Sequence, residues 1–190
     1  VSEFYKKSIH KNNNFIFGNA NSKNYLTKNY INIPLKNLNL KFRSTSNEYI
    51  AKLSKEIIKE KFDIVEVHNR PLVLFKLMDK INAKFIMYYH NDPLSMSGSK
   101  LISERREILK KVDKIVFISK WVKKRFFYGL DDQGDKTEII YHSVNKRKKK
   151  LKVKQIVFVV KLNHSKGYDI YKEAIIKILN EFSQWYALSI

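Results

Sequence analysis

The sequence has no cysteine, which excludes a disulfide framework, a thiolate-ligated zinc and a thiol nucleophile. It has no run of 18 apolar residues, so it offers no membrane-spanning helix. The opening residues, Val-Ser-Glu-Phe-Tyr-Lys-Lys, lack the apolar stretch of a signal peptide. They begin with Val rather than Met, as expected of a processed chain or a fragment. Neither the P-loop nor the dinucleotide glycine pattern occurs, and no Gly-x-Ser-x-Gly elbow is present. No His-x-x-x-His or Asp-x-Asp pair suggests a metal site. Acidic residues are few, 18 against 38 basic, so the formal charge is +20. Arginine is scarcer still, six residues beside 32 lysines.

What remains is a 190-residue chain, enough for one domain or for one domain and part of another. With 44% hydrophobic and 13% aromatic residues it is not wholly disordered. The charge points to a polyanionic partner, whether nucleic acid, an acidic membrane surface or phosphorylated ligands. Against this stands a bias towards Lys, Asn and Ile over the whole chain. Readers of phosphates and bases favour Arg, whose planar fork binds bidentately, so the lysine excess argues against a nucleic-acid reader.

The pattern along the chain alternates strands with helices. Asn14-Phe15-Ile16-Phe17 and Tyr30-Ile31-Asn32-Ile33 read as weak strands. Thr45-Ser46-Asn47-Glu48 fits a capping box, and Ile50, Leu53, Ile57 and Ile58 continue it as a helix to about Lys61. Residues 62–68 form a strand. Pro71 suits a first helical turn, and that helix should run to about Ile81. Lys84 to His90 is an apolar strand suited to burial on both faces. A helix follows from about Lys100 to Val112, with Leu101, Ile108 and Val112 on one side. Residues 114–118 are a strand. Ser119 caps a helix from Lys120, which Gly129 ends. Residues 137–141 are a further strand. Lys146-Arg147-Lys148-Lys149-Lys150 reads as a solvated linker. Residues 155–160 read as a new buried strand. The helix from Tyr168 to about Phe182 carries Ile170, Ala174, Ile178 and Phe182 on one stripe. Another strand opens at Ala187.

Such alternation implies βαβ units and a Rossmann-like parallel sheet flanked by helices. The expected organisation is an N-terminal domain over 1–145, a basic linker over 146–154, and the first βαβ portion of a second Rossmann-like domain over 155–190. Right-handed crossovers put all strand C-termini on one edge, where ligands bind. His68, His90, Ser119 and His142 should share that rim. Asn163-His164-Ser165-Lys166-Gly167 lies between a strand and a helix, and Lys161 and Lys166 flank a helix N-terminus that favours an anion. That is a diphosphate clamp or an ordinary basic loop. Tyr88-Tyr89-His90-Asn91-Asp92-Pro93 puts an imidazole, an amide and a carboxylate at one strand end. These groups can bind sugar hydroxyls or move a proton, or merely close a turn. His68-Asn69-Arg70-Pro71 repeats the theme. Arg105 and Arg106 suit either an anion or ion pairs with Glu104 and Glu107 on a helix surface.

Several pieces in order resemble the GT-B glycosyltransferases of family 4. They are Phe-Asp-Ile-Val-Glu-Val-His-Asn-Arg-Pro (62–71), Tyr-Tyr-His-Asn-Asp-Pro (88–93) and Ser-Glu-Arg-Arg (103–106). Then come Asp-Lys-Ile-Val-Phe-Ile-Ser-Lys-Trp-Val-Lys-Lys-Arg-Phe (113–126), Ile-Ile-Tyr-His-Ser-Val-Asn (139–145) and Ile-Val-Phe-Val-Val-Lys-Leu-Asn-His-Ser-Lys-Gly-Tyr-Asp (156–169). The pieces around His-Asn-Arg-Pro and His-Asn-Asp-Pro are most similar to bacterial enzymes of lipopolysaccharide or capsule synthesis. The resemblance implies metal-independent hexose transfer with retention, from a nucleotide-diphosphate sugar to a cell-envelope glycan or lipid-linked acceptor. It implies a cytoplasmic protein, with peripheral contact at the inner face of the membrane. His90 would be the catalytic contact to the transferring sugar. Lys161, Lys166 and Gly167 would hold the donor diphosphate. His68, Asn69, Arg70, Asn91, Asp92 and Ser119 would contact acceptor or sugar. No metal or other cofactor is implied.

The sequence departs from the family in places. Val160 stands where the family has a glycine beside the phosphates, and a β-branched side chain there could crowd the donor. The Asn-Gly-Val-Asp turn reads His142-Ser143-Val144-Asn145. The family's acidic motif at the donor ribose would lie beyond residue 190, so the resemblance implies a truncated, inactive or nearly inactive chain. The competing reading is a basic Rossmann-like module that binds nucleic acid or an anionic membrane without catalysis.

Overall fold

A computed structural model of the chain describes residues 8–19, 28–35, 45–131, 135–142 and 153–190. The chain divides into two compact units, Val1–Val144 and Asn145–Ile190. Residues 146–152, most of the expected basic linker, lie outside the described residues. Among the described residues no helix is long and apolar enough to cross a membrane.

The first unit opens with two short strands, Ile16–Gly18 (β1) and Tyr30–Asn32 (β2), paired in parallel. Phe15 and Phe17 meet Phe62 edge-on, with centroids 5.3 and 5.6 Å apart, and tie this pair to the chain ahead of the main sheet. Helix α1, Thr45–Glu60, buries Ile50, Leu53 and Ile57. The side chains of Thr45 and Ser46, half of the expected capping box, lie outside the described residues. Glu48 pairs with Lys52 across one helical turn at 2.7 Å.

The main sheet holds Ile64–His68 (β3), Lys84–Tyr89 (β4), Lys114–Phe117 (β5) and Thr137–Ile139 (β6), all parallel and in the order β3-β4-β5-β6. Helices Pro71–Met78 (α2), Ile102–Lys111 (α3) and Lys120–Phe126 (α4) make the crossovers. Pro71 stands in the first turn of α2. The Ser119 hydroxyl caps α4 by accepting from the Val122 amide at 3.2 Å. Gly129, at φ 76°, lets the chain leave α4 in a left-handed turn.

Strands added in one direction by right-handed crossovers place every crossover helix on the same face. The burial pattern agrees. Val65, Val67, Phe85, Met87, Tyr89, Ile115 and Phe117 point to that face and are buried, with Leu74, Leu77, Ile108, Val122 and Phe126 against them. The opposite face carries Glu66, His68, Tyr88, His90 and Glu138, and its edges are exposed. So β4, expected to be buried on both faces, is fully covered on one and only partly on the other.

Two helix ends differ from expectation. Helix α2 stops at Met78, not Ile81, because the Lys80 and Ile81 amides both turn back to the Leu77 carbonyl, at 2.9 and 3.0 Å. Helix α3 begins at Ile102, and Leu101, expected on its buried side, is 59% exposed. The Glu104 carboxylate accepts from the Leu101 amide at 2.9 Å and fixes that start.

The second unit is a βαβ element: Gln155–Phe158 (β7), Tyr168–Glu181 (α5) and Tyr186–Ser189 (β8), with β7 and β8 parallel. The helix turns a different stripe inward from the one expected. Ile175 is buried, whereas Ile170 is 71% exposed. Tyr171 stacks on Phe158 with centroids 4.2 Å apart, and that contact selects the stripe of Tyr168, Tyr171, Ile175 and Leu179. The expected and observed stripes differ by one position, about 100° of helix rotation. Strand β7 is not buried as expected: Val157 stays exposed, because among the described residues β7 has one sheet neighbour and one covering helix.

Candidate functional site

Strand β3 ends in His68, and the parallel register sets it opposite Tyr88 on β4. The two rings stack at 4.6 Å, nearly parallel at 14°, which holds the His68 ring over the sheet. Asn69 then turns the chain with φ 53°, a left-handed conformation that Asn tolerates better than most residues. That turn stitches the two strand ends together. The Asn69 amide donates to the Tyr88 carbonyl at 2.9 Å, and its side-chain oxygen accepts from the His90 amide at 2.7 Å.

The result is a row of three imidazoles along the strand C-termini. His68 Nδ1 lies 2.8 Å from His90 Nε2, and His90 Nδ1 lies 2.9 Å from His142 Nε2. His142 follows β6, so it reaches His90 across the end of the intervening strand β5. Both distances are those of hydrogen bonds. His90 uses a different nitrogen for each neighbour, so the nitrogens pair in a line instead of converging on one point. Among the described residues no group of three or more His, Cys, Asp or Glu is arranged to hold a metal ion. Glu66 Oε2 lies 3.6 Å from His68 Nε2, an ion-pair distance too long for a direct hydrogen bond.

Burial is the first cause that pushes the His90 imidazole down from 6.5 to about 4, and the neighbouring rings of His68 and His142 add to it. Tyr88 moves the other way, to about 12, through burial and then through the carboxylates Glu66 and Glu138. His90 therefore stays neutral in the fold under conditions where the unfolded chain takes up a proton. Its contribution to stability is fully present above pH 6.5 and drains away as the pH falls towards 4. Urea unfolding at pH 7 and pH 5 should show a larger acid loss for the wild type than for His90→Asn; equal losses would contradict this.

The other expected site residues are placed as follows. Asn91 is exposed beside His90. Asp92 is gripped by Arg125, whose Nε lies 3.1 Å from both carboxylate oxygens and whose Nη2 lies 2.9 Å from Oδ2. It also accepts from the Leu94 amide at 3.0 Å. The Arg125 hydrogen bonds are the main reason its carboxyl is held below the ordinary range. This carboxylate anchors the turn after β4 to α4. Arg70 is exposed at the start of α2, its guanidinium over the Tyr49 ring at 5.8 Å. Ser119 spends its hydroxyl on the cap of α4.

Arg105 is the residue that sequence reasoning misplaced. Among the described residues it forms no surface ion pair: it is 1% exposed, and Glu107 pairs with Lys111 instead, at 2.7 Å. Its Nη1 donates to the Ser99 and Lys100 carbonyls at 3.1 and 2.8 Å, and its Nη2 to the Tyr128 carbonyl at 2.6 Å. The signal was present in the spacing. Position 105 lies on the same helical stripe as Ile108 and Val112, four residues after Leu101. Arg125, the partner of Asp92, was missed because no local pattern links residues 33 apart.

In the second unit Gly167 has φ 72°, closes the turn His164–Lys166, and leads directly into α5. Lys161 and Lys166 are both exposed. The amides of Lys166, Gly167 and Tyr168 already bond within the loop, to Asn163, His164 and Asn163 respectively. Asp169 in the first turn, 3.2 Å from His164, already sets a negative group at the helix start.

The comparisons bear on the first unit. Comparison with curated proteins found no match. Residues 16–148 match Glycosyltransferase Family 4. The match covers well over half of the chain, takes in β1 to β6 and all three imidazoles, and ends before Lys161, Lys166 and Gly167. A parallel α/β sheet with its polar groups gathered at the strand C-termini is the architecture that goes with it. The chain belongs to glycosyltransferase family 4.

Proposed function

We propose that the protein takes part in hexosyl transfer from a nucleotide-diphosphate sugar to a hydroxyl of a cell-envelope glycan or lipid-linked acceptor, with retention at the sugar. The family match over residues 16–148 is the observation that carries this reading. The histidine row supports it: it lies where open α/β sheets bind their ligands, and imidazole both binds sugar hydroxyls and moves their protons. His90, at the centre, is the imidazole assigned to the transferring sugar. His68, Asn69 and Asn91 line the same edge and suit acceptor hydroxyls, with Arg70, Asp92 and Ser119 shaping the rim. In the second unit, Lys161, Lys166 and the Gly167 turn are assigned to the donor diphosphate, as point charges beside a helix start. The chemistry asks for no metal from these residues. The exposed Trp121 and Tyr128, with Lys120, Lys123 and Lys124 around them, form the face of α4 best suited to lie at an anionic inner membrane surface.

The test is calorimetric titration of the whole chain with a panel of nucleotide-diphosphate hexoses. At least one should bind more tightly than the matching nucleoside diphosphate, and Lys161→Ala/Lys166→Ala should weaken it about tenfold or more. Binding of every sugar nucleotide no better than inorganic phosphate would overturn the reading.

A further inference from the structure

The strand end that carries His90 is held from two sides. On the β3 side, the His90 amide donates to the Asn69 side-chain oxygen at 2.7 Å. On the α4 side, the hold is Asp92. An ionised carboxylate offers about four lone-pair positions, and four contacts reach this one. Oδ1 accepts from the Leu94 amide at 3.0 Å and from Arg125 Nε at 3.1 Å. Oδ2 accepts from Arg125 Nε at 3.1 Å and from Nη2 at 2.9 Å. A carboxylate spent in this way has little left for a sugar hydroxyl. Its work is to fix the backbone at 92, and the residue that gains from this is Asn91, exposed between the two holds.

The rest of the loop is braced without Arg125. The Ser99 hydroxyl donates to the Pro93 carbonyl at 2.7 Å, and Arg105 Nη1 donates to the Ser99 carbonyl at 3.1 Å. Gly98, at φ 91°, lies so close to the start of α2 that an added Cβ would come within 2.8 Å of the Leu72 amide nitrogen. The near end has only the Asp92 contacts: its carboxylate caps the short turn Pro93–Ser95, and its carbonyl accepts from the Ser95 hydroxyl at 2.7 Å. Helix α4 offers Lys120, Lys123 and Lys124 as well, yet its one arginine is the residue that meets Asp92. An ammonium is a point charge, whereas the guanidinium fork takes both carboxylate oxygens and so fixes an orientation. The fork is itself steadied, with its carbon 5.8 Å above the Trp121 ring.

We propose that Arg125 is a positioning residue for acceptor recognition: through Asp92 it sets the orientation in which Asn91, beside His90, meets the acceptor. The assignment rests on glycosyl transfer as the reaction and adds to it how one side of the acceptor site is held. A side-chain amide presents N–H donors and a carbonyl acceptor side by side. Held in one orientation, it suits two neighbouring hydroxyls of a sugar ring. Arg125 touches no substrate itself, so its effect passes entirely through Asp92.

Kinetics with the nucleotide sugar that binds, and octyl hexosides as acceptors, test the assignment. Arg125→Gln should lower kcat/KM for the acceptor about 10- to 100-fold and leave the donor KM within about twofold. Arg125→Lys, which keeps the charge but not the fork, should recover only part of the loss. Asp92→Asn/Arg125→Gln should be no slower than the slower single variant, because both changes break one link. Losses that multiply, or a donor KM that rises with Arg125→Gln, would overturn the assignment. Amide exchange of the whole chain reads the same link without substrate. The Leu94 and Ser95 amides both bond to Asp92 and should exchange about tenfold faster in Arg125→Gln, while the Val112 amide at the end of α3 keeps its rate. Unchanged exchange at Leu94 and Ser95 would overturn the assignment whether or not sugar is transferred. Absence of any sugar-nucleotide binding would defeat the transfer reading, and the exchange rates would still decide whether Arg125 holds the turn.

Discussion

Arg105→Ala costs the first unit about 3–5 kcal/mol, a large part of the stability of a domain of this size. The reason is what the guanidinium leaves behind. Its Nη1 and Nη2 satisfy the carbonyls of Ser99, Lys100 and Tyr128, which belong to the loop before α3 and the turn after α4. Without it these acceptors lose a charged donor, and a cavity opens under α3. Among the described residues no carboxylate forms an ion pair with Arg105, and its Nε has no hydrogen-bond partner, so carbonyl dipoles offset the buried charge with help only from the more distant Glu104 carboxylate. Burial is also what lowers its proton affinity. Arg105→Lys keeps the charge but cannot reach three carbonyls on two sides, and should recover less than half of the loss. Urea unfolding followed through Trp121, with Trp185→Phe to silence the second unit, reads this out. An Arg105→Ala loss under about 1 kcal/mol would show the network to be incidental.

Phe117→Ala should cost a similar amount, about 3–5 kcal/mol. Phe117 is fully buried, and its ring sits 5.8 Å from Tyr89, 5.3 Å from Phe126 and 6.3 Å from Phe127. It is the centre of an aromatic cluster joining β4, β5 and α4, so truncation removes contacts on three sides. Phe117→Leu, which refills most of the volume, should lose less than about 2 kcal/mol. The effect should also reach the site. The Phe117 carbonyl accepts from the Ile140 amide at 2.9 Å, which fixes the strand that delivers His142. Loosening it should let His142 drift from His90, so the His90 titration in Phe117→Ala should rise from about 4 towards its ordinary 6.5. A large stability loss with an unmoved His90 titration would separate the cluster from the rim.

Much of this architecture could be read in the sequence, and the exceptions share a cause. Period-two and period-3.6 patterns marked the parallel strands and their crossover helices, because burial on one side imposes those periods. The strand-end positions of His68, His90 and His142 followed from topology alone. Their mutual bonding did not, because His142 must cross the end of β5 to reach His90, and no spacing rule encodes that reach. Arg105 escaped because its type argued for the surface while its position argued for the core. The α5 stripe was misjudged because aliphatic periodicity was followed where the Tyr171–Phe158 stack decides the rotation. At Asp92, residue type could not distinguish a sugar ligand from the anchor that Arg125 makes of it.

The order β3-β4-β5-β6 has a consequence for how the molecule comes into being. Each strand neighbours the next one made, so the main sheet can be laid down as the chain emerges, with each crossover closing only a short loop. His68 and His90 meet once the second of these strands docks, but His142 arrives only with the last. The row of imidazoles is thus assembled in the sequence in which the polypeptide is synthesised. Its outer end, the part exposed to solvent, is completed only when the sheet beneath it is whole. A partly built sheet carries the inner pair of histidines without the exposed third, so the row as a whole is a product of the finished sheet.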